Sequence, residues 1–207
     1  MDAASIPREA ITGIVLAGGR GTRMGDIDKG LQLFRGQPLF LHATARLLPQ
    51  VSALLVNANR NPESYARAGF PVIADEYAAF GGPLAGFATG LKHCHTPWLV
   101  TVPCDSPFFP ETLVTELGKA VLAADADLAI AVTGQTPPFA PQPVFCLMKR
   151  DLLPHLEAFL QTGQRKIDAW YATLKVAQAH FADEAAFGNI NTHEALQQLE
   201  NLPENKL

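Results

Sequence analysis

The sequence predicts an α/β fold, in which a mostly parallel, twisted sheet carries helices on both faces. Short apolar segments alternate with longer helix-like segments along nearly all of the 207 residues, which is the pattern of such folds. Several of the apolar segments end at glycine, asparagine or aspartate. A hydrophobic content of 48% allows a substantial core. The length suits one domain, residues 1–207.

The first strand is predicted at Ile11–Ala17, because this segment is short, apolar and rich in β-branched residues and stops at glycine. Comparable apolar segments recur along the chain. The further strands are predicted at Ser52–Asn57, Pro71–Ala74, Trp98–Pro103, Asp127–Val132, Pro143–Met148 and Lys175–His180.

Proline marks several helix boundaries. Pro38 suits a helix start, where its missing N–H is tolerated, and Pro49 ends the same helix. Thr133–Gln142 contains three prolines and one glycine and is predicted to be a loop. Helices are predicted at Leu39–Leu48, Pro62–Ala68, 81–93, Glu111–Ala124, Lys149–Leu160, Arg165–Leu174 and Ala195–Leu202, the last with Asn191 or Thr192 as its N-cap.

This alternation predicts a three-layer, Rossmann-like arrangement. Right-handed crossovers place the carboxyl ends of the strands at one edge of the sheet, where open α/β sheets bind ligands. Gly18, Asn57, Asp75 and Asp105 each stand at the end of a predicted strand. We therefore expect these four residues to share one site.

The charge distribution favours a small polyanionic ligand over nucleic acid. The formal charge is −4, whereas residues 1–50 hold six Lys or Arg against four Asp or Glu. The three widely spaced cysteines suggest a reducing compartment rather than a disulfide framework. With neither a signal-peptide pattern nor an apolar run of membrane-spanning length, the chain is expected to be cytoplasmic and free of membrane contacts.

A glycine-rich loop with two arginines and a lysine, 18–29, follows the first strand. Glycines let backbone N–H groups form an anion-binding concavity, so the loop is predicted to hold phosphates. It is not a dinucleotide loop, because Met24 occupies the third glycine position of G-x-G-x-x-G. It is not a P-loop either, because Asp28 and Gly30 flank Lys29.

The remaining pattern, L-A-G-G-x-G-T-R-M-x(4)-K-G, resembles the signature of nucleotidyltransferases. Within that group the chain resembles the molybdenum cofactor guanylyltransferase family. It departs from the family at His193, where proline is frequent, and in the loosely matching loop Gln135–Gln142. The matching segments are Leu16–Gly19, Arg23–Gly25, Asp28–Leu31, Val56–Arg60, Gly82–Gly86, Pro103–Asp105 and Asn189–Thr192.

The charged residues of these motifs have expected roles. Asp105 faces the phosphate loop and is the expected Mg²⁺ ligand, because Mg²⁺ takes one or two carboxylates plus phosphate oxygens and water; the resemblance implies the same position. The resemblance makes Lys29 a triphosphate ligand that offsets charge on the departing pyrophosphate. Arg23 has two interpretations, a second phosphate ligand or a structural partner of Asp26 or Asp28.

The resemblance also implies where the nucleotide lies. A carboxylate accepts hydrogen bonds well from the N1–H and N2–H₂ edge of guanine, which suits Asp75, although a metal-binding role is the alternative. The expected nucleotide contacts are the backbones of Leu16, Ala17, Gly18 and Gly19 and the side chains of Lys29, Asn57, Asp75 and Asp105.

The implied reaction is transfer of GMP from Mg·GTP to the phosphate of molybdopterin, with release of pyrophosphate. Alternatives are a cytidylyltransferase or sugar-phosphate nucleotidyltransferase, and a non-catalytic nucleotide-binding module. The resemblance also suggests transient contacts with molybdenum-insertion proteins and target molybdoenzymes. Candidates for the acceptor side are Arg165, Lys166, Asn189 and Asn191.

Overall fold

The computed structural model describes residues 5–17, 28–76, 82–191 and 196–197. Within these ranges no helix has the length and apolar character needed to cross a membrane. The described residues form a seven-stranded sheet with the strand order β5-β4-β1-β6-β8-β7-β9. The seven strands are β1 (Ile11–Leu16), β4 (Ala53–Asn57), β5 (Val72–Ile73), β6 (Trp98–Pro103), β7 (Leu128–Thr133), β8 (Ala140–Lys149) and β9 (Val176–Phe181).

Helices cover both faces of this sheet, as the alternating sequence predicts. One face packs α1, α2 and α4 over a core that includes Phe40, Tyr65 and Leu117. The other face packs α3, α5 and α6 over a core that includes Phe87 and Leu156. The helices are α1 (Leu39–Leu47), α2 (Pro62–Ala66), α3 (Pro83–His93), α4 (Leu113–Ala123), α5 (Leu153–Gln161) and α6 (Ile167–Tyr171).

The strand β1 lies in the interior of the sheet and pairs in parallel with both β4 and β6. Its side chains alternate between the two cores, with Val15 on one face and Ile14 on the other. Both side chains are completely buried, as expected for a strand covered on two sides.

The strand β8 runs antiparallel to its neighbours β6 and β7. The expectation that all strands end at one edge is therefore wrong for β8, and Thr133–Gln142 is not a loop throughout, because β8 begins at Ala140. Six residues connect β7 to β8, too few for the crossover that a parallel strand requires. The register shifts between Ile130 and Ala131, and Pro143 of β8 lies in the stretch that this shift leaves out of register.

A small hairpin, β2 (Leu33–Phe34) and β3 (Gln37–Pro38), precedes α1 and was not predicted from sequence. Its turn places Arg35 and Gly36 at positive φ. Residues 192–195 and 198–207 lie outside the described ranges, so the predicted helix Ala195–Leu202 is seen only at residues 196–197.

Candidate active site

The carboxyl ends of β4, β1 and β6 lie side by side at one edge of the sheet. Leu16 is in register with Asn57 on one side and with Pro103 on the other. The Ala17 N–H donates to the Asn57 carbonyl (2.8 Å), and the Cys104 N–H donates to the Leu16 carbonyl (3.1 Å). The Ala17 N–H is thus already hydrogen-bonded within the sheet. The end of β1 lies between two groups of polar side chains, one on the side of β6 and one on the side of β4.

The first group joins Lys29 to Asp105 and Asn191. The Lys29 Nζ lies 3.4 Å from Asp105 Oδ2 and donates to Asn191 Oδ1 at 2.6 Å. Both charged side chains remain partly accessible, Lys29 at 23% and Asp105 at 17%. An ammonium and a carboxylate that share a water-accessible edge can both turn towards an incoming ligand.

The segment before the C-terminal region is fixed to the end of β6. The Ile190 N–H donates to the Asp105 carbonyl at 2.7 Å, and the Ser106 hydroxyl donates to Asn189 Oδ1. These contacts bring the proposed acceptor-side residues Asn189 and Asn191 beside Asp105. Sequence reasoning named both asparagines without predicting the contacts that hold them.

The second group surrounds Asp75. Its Oδ1 accepts from Asn57 Nδ2 at 2.8 Å, and its Oδ2 accepts from Asn59 Nδ2 at 2.7 Å. The Asp75 N–H donates in turn to Asn59 Oδ1, and Thr89 Oγ1 lies 3.5 Å from Asp75 Oδ1. Asp75 is therefore held in a fixed orientation by neutral donors, and Asn59 is a site residue that sequence reasoning missed. Its signal was its spacing, two positions after Asn57.

Gly86 permits the close approach of α3 to this group. A Cβ at position 86 would lie 2.8 Å from Asn57 Oδ1 and 2.9 Å from Leu16 Cδ2. Asn57 is itself 2% exposed, and its amide nitrogen donates to the Ile73 carbonyl as well as to Asp75. Its side chain therefore orients Asp75, while a direct contact with base or ribose stays a prediction.

The Cys104 thiol is buried directly after the end of β6. Burial, reinforced by the nearby carboxylates of Asp105 and Asp28, raises the pKa of this thiol well above its usual range. A protonated, buried thiol is a poor nucleophile, so Cys104 is a packing residue at the strand end.

The donor set at this edge fits a nucleotide-bound Mg²⁺ better than a metal held by protein alone. Across the described ranges, no three His, Cys, Asp or Glu side chains come together as a metal cage. Asp105 supplies one accessible carboxylate, which suits an ion that takes most of its ligands from phosphate and water.

Three predicted site residues, Gly18, Gly19 and Arg23, lie outside the described residues. Leu16 and Ala17 lie at the end of β1, and the other predicted nucleotide contacts form the two groups at the ends of the flanking strands β4 and β6. These two strands are two strand spacings, or about 10 Å, apart. Arg165 donates to the carbonyls of Leu160 and Gln164 at the end of α5.

Two clefts, of about 510 and 530 Å³, lie at the opposite edge of the sheet, near Ile11 and Trp98.

Solved structures with this fold include nucleotidyltransferases. Molybdopterin-guanine dinucleotide biosynthesis protein A from Archaeoglobus fulgidus superposes with a TM-score of 0.71 at 23% identity, covering 91% of this chain and 96% of that one. A CMP:2-keto-3-deoxy-manno-octonic acid synthetase complexed with CTP has a TM-score of 0.74 at 12% identity, covering 97% of this chain and 100% of that one. At these identities the likeness shows the fold alone.

Sequence relatives are much more similar. A molybdenum cofactor guanylyltransferase from Bordetella petrii is 55% identical over 94% of this chain and 99% of its own length. The protein of the same name from Cupriavidus necator is 51% identical over 93% of this chain and 97% of its own. The model of the MobA-like NTP transferase domain matches residues 13–178. The chain therefore belongs to the MobA-like NTP transferase family, among the molybdenum cofactor guanylyltransferases.

Proposed function

We propose that this protein transfers GMP from GTP to the terminal phosphate of molybdopterin and releases pyrophosphate. The observation that carries this proposal is the Lys29–Asp105 pair at the carboxyl edge of the sheet, in a chain 55% identical to a molybdenum cofactor guanylyltransferase. The pair supplies a cation for the phosphates of GTP and a carboxylate for the metal bound with them. Asp75 supplies a hydrogen-bond acceptor for the guanine base.

In this proposal the nucleotide spans β1. Its phosphates lie near Lys29 and its guanine lies near Asp75, whose two oxygens keep unused lone pairs that can accept from N1–H and N2–H₂. The hydrogen bonds from Asn57 and Asn59 fix Asp75 before the base arrives. A fixed acceptor loses less entropy on binding than a free one.

The phosphate of molybdopterin, which is the attacking group, needs no general base. A phosphate monoester has a second pKa near 6 and is largely dianionic at neutral pH, so its oxygen can attack the α-phosphorus directly. The chain's task is to position the two anionic substrates and to neutralise the charge that grows on pyrophosphate. Lys29 performs the second task. Mg²⁺ bound with the nucleotide would add positive charge at the phosphates, and Asp105 is the residue that would hold it.

Asn189 and Asn191 are proposed for the acceptor side because they lie beside Asp105. Transient complexes with molybdenum-insertion proteins and target molybdoenzymes would deliver and remove the pterin. We place the protein in the cytoplasm on the support of its three free, buried cysteines, which suit a reducing compartment.

The deciding experiment measures pyrophosphate release with each of GTP, CTP, ATP and UTP, with and without molybdopterin. The proposal requires release with GTP only, and only when molybdopterin is present. Release with CTP would favour a cytidylyltransferase, and nucleotide binding without release would favour a non-catalytic module.

A further inference from the structure

We propose that Tyr65 and Asp28 form a buried brace that positions the Lys29 ammonium at the carboxyl edge. Tyr65 is a positioning residue, because it acts through Asp28 and the backbone of Lys29. The consequence for turnover rests on the proposed guanylyl transfer, whereas the consequence for the Lys29 side chain does not.

The brace begins at Asp28, the residue directly before Lys29. The Tyr65 hydroxyl donates to Asp28 Oδ1, and Asn61 Nδ2 donates to Asp28 Oδ2 at 3.1 Å. Both carboxylate oxygens are thus held by neutral donors from α2 and the residue preceding it. Asp28 therefore ties the start of the Lys29 turn to a separate element of the fold.

Tyr65 is a rigid anchor for this contact. Its side chain is completely buried, and its ring meets the Phe40 ring edge-on at a centroid distance of 4.7 Å. Burial, followed by the hydrogen bond to Asp28, raises the pKa of the Tyr65 phenol far above its usual range. The phenol therefore keeps its proton and remains a donor at any physiological pH.

Gly30 completes the brace on the other side of Lys29. A Cβ at Gly30 would overlap the Tyr65 hydroxyl, so only glycine lets the turn lie against the ring. The turn closes with hydrogen bonds from the Leu31 N–H to the Asp28 carbonyl (3.2 Å) and from the Gln32 N–H to the Lys29 carbonyl (3.1 Å).

Lys29 is therefore held at both ends. Its backbone lies between a clamped Asp28 and a close-packed Gly30, and its ammonium lies between Asp105 and Asn191. A lysine has a long, flexible side chain that loses considerable entropy when it is ordered. Fixing its backbone limits where the ammonium can go and so favours one position for it.

The first test compares Tyr65→Phe with the matched control Tyr171→Phe. Both remove a buried hydroxyl, but the Tyr171 hydroxyl donates to the Pro143 carbonyl on the other face of the sheet. We expect Tyr65→Phe to lower kcat roughly 10- to 100-fold, in line with the cost of small misplacements, with a much smaller change in the KM for GTP. Tyr171→Phe should keep its kcat.

A double-mutant cycle separates positioning from general damage. If Tyr65 acts through Lys29, Tyr65→Phe should cause no further loss of kcat in a Lys29→Met background. A full additional loss in that background, or an unchanged kcat in Tyr65→Phe alone, would overturn the inference.

The second test does not depend on activity. An amine-acylating reagent is applied to the free protein, and mass spectrometry compares modification of Lys29 with that of the partly exposed Lys119 as reference. Tyr65→Phe and Asp28→Ala should each raise the relative acylation rate of Lys29 severalfold. Asp28→Asn should instead keep the low rate of the wild type, since asparagine retains an acceptor for the Tyr65 hydroxyl.

Unchanged Lys29 reactivity in both Tyr65→Phe and Asp28→Ala would overturn the brace, as would a raised rate in Asp28→Asn. If Tyr65→Phe does not fold, the two Asp28 variants decide the question. A wild-type protein that releases no pyrophosphate would instead count against the proposed function, and the acylation result would still decide the positioning role.

Discussion

Lys29 and Asp105 lie close enough to interact, yet both face water at the edge of the sheet. At this distance and exposure the pair contributes little to stability, so ligand binding explains better why two opposite charges lie at this edge. Asp75 differs from Asp105, because Asn57 and Asn59 each donate one hydrogen bond to its carboxylate, which fixes its orientation and leaves other lone pairs for a ligand. On this basis we propose that Asp105 serves the phosphates and their metal and that Asp75 recognises the base.

Replacing Asp105 by asparagine should lower kcat for pyrophosphate release by about 10²- to 10³-fold, comparable to losing one strong electrostatic contact in a transition state. The physical reason is that the amide keeps the size of the side chain but loses the charge that would hold Mg²⁺. Glu116→Gln is the matched control: it removes a partly exposed carboxylate that is paired with Lys119, and it should retain activity. Near-normal turnover in Asp105→Asn would contradict the assignment.

Replacing Asp75 by asparagine should reduce kcat/KM for GTP by roughly 10- to 100-fold, because a site built to pair with a substrate's donors discriminates strongly. The loss should be smaller for ITP, which lacks the 2-amino group, so the GTP-to-ITP ratio should fall. Steady-state kinetics with both nucleotides measure the ratio. An unchanged ratio would remove Asp75 from base recognition.

At the scale of elements, two helical glycines have opposite surroundings. Gly86 of α3 faces Asn57 and Leu16, which leave no space for a methyl group, whereas the nearest atoms to a Cβ at Gly118 of α4 belong to Ile6 at 3.8 Å. Helix propensity alone favours alanine at both positions. The two sites therefore test whether packing against the carboxyl edge overrides propensity.

Gly86→Ala should lower the free energy of unfolding by about 1–3 kcal/mol, as expected for overpacking in a tight core. Gly118→Ala should raise it by about 0.5–1 kcal/mol, because alanine loses less backbone entropy than glycine in a helix. Urea denaturation of both variants measures the sign of each change in the free energy of unfolding. Equal effects would mean that the contact with Asn57 and Leu16 does not constrain α3.

The sequence predicted the elements correctly where the hydrophobic periodicity and the boundary residues indicate the same element. Ile11–Ala17 and Trp98–Pro103 match β1 and β6 closely. The direction of β8 was missed, although the short connection after Thr133 excluded a parallel crossover. The hairpin at Leu33–Phe34 was missed because two-residue strands carry no periodic signal.

At the scale of the whole molecule, one sheet separates two cores, and both cores contain cysteine. Cys104 belongs to one core, and Cys94 and Cys146 belong to the other. Burial raises the pKa of Cys146 to about 12. Because both cores pack on the same sheet, we propose that residues 1–207 unfold as a single domain.

All three thiols should therefore react slowly with a thiol reagent in the folded protein and become reactive together in one urea transition. Mass spectrometry after pulsed labelling follows each cysteine separately, and the fully unfolded chain supplies the reference rate. Distinct midpoints for Cys104 and Cys146 would contradict a single cooperative unit.

The sequence by itself determined the order of the elements, the α/β class and the residue types at the carboxyl ends of the strands, because these follow from local periodicity and motif spacing. Only the tertiary structure decided which side chains meet there. Lys29 and Asn191 are 162 positions apart, and Tyr65 meets Asp28 from a different element. Such contacts depend on how the helices pack on the sheet, and no local pattern encodes that packing.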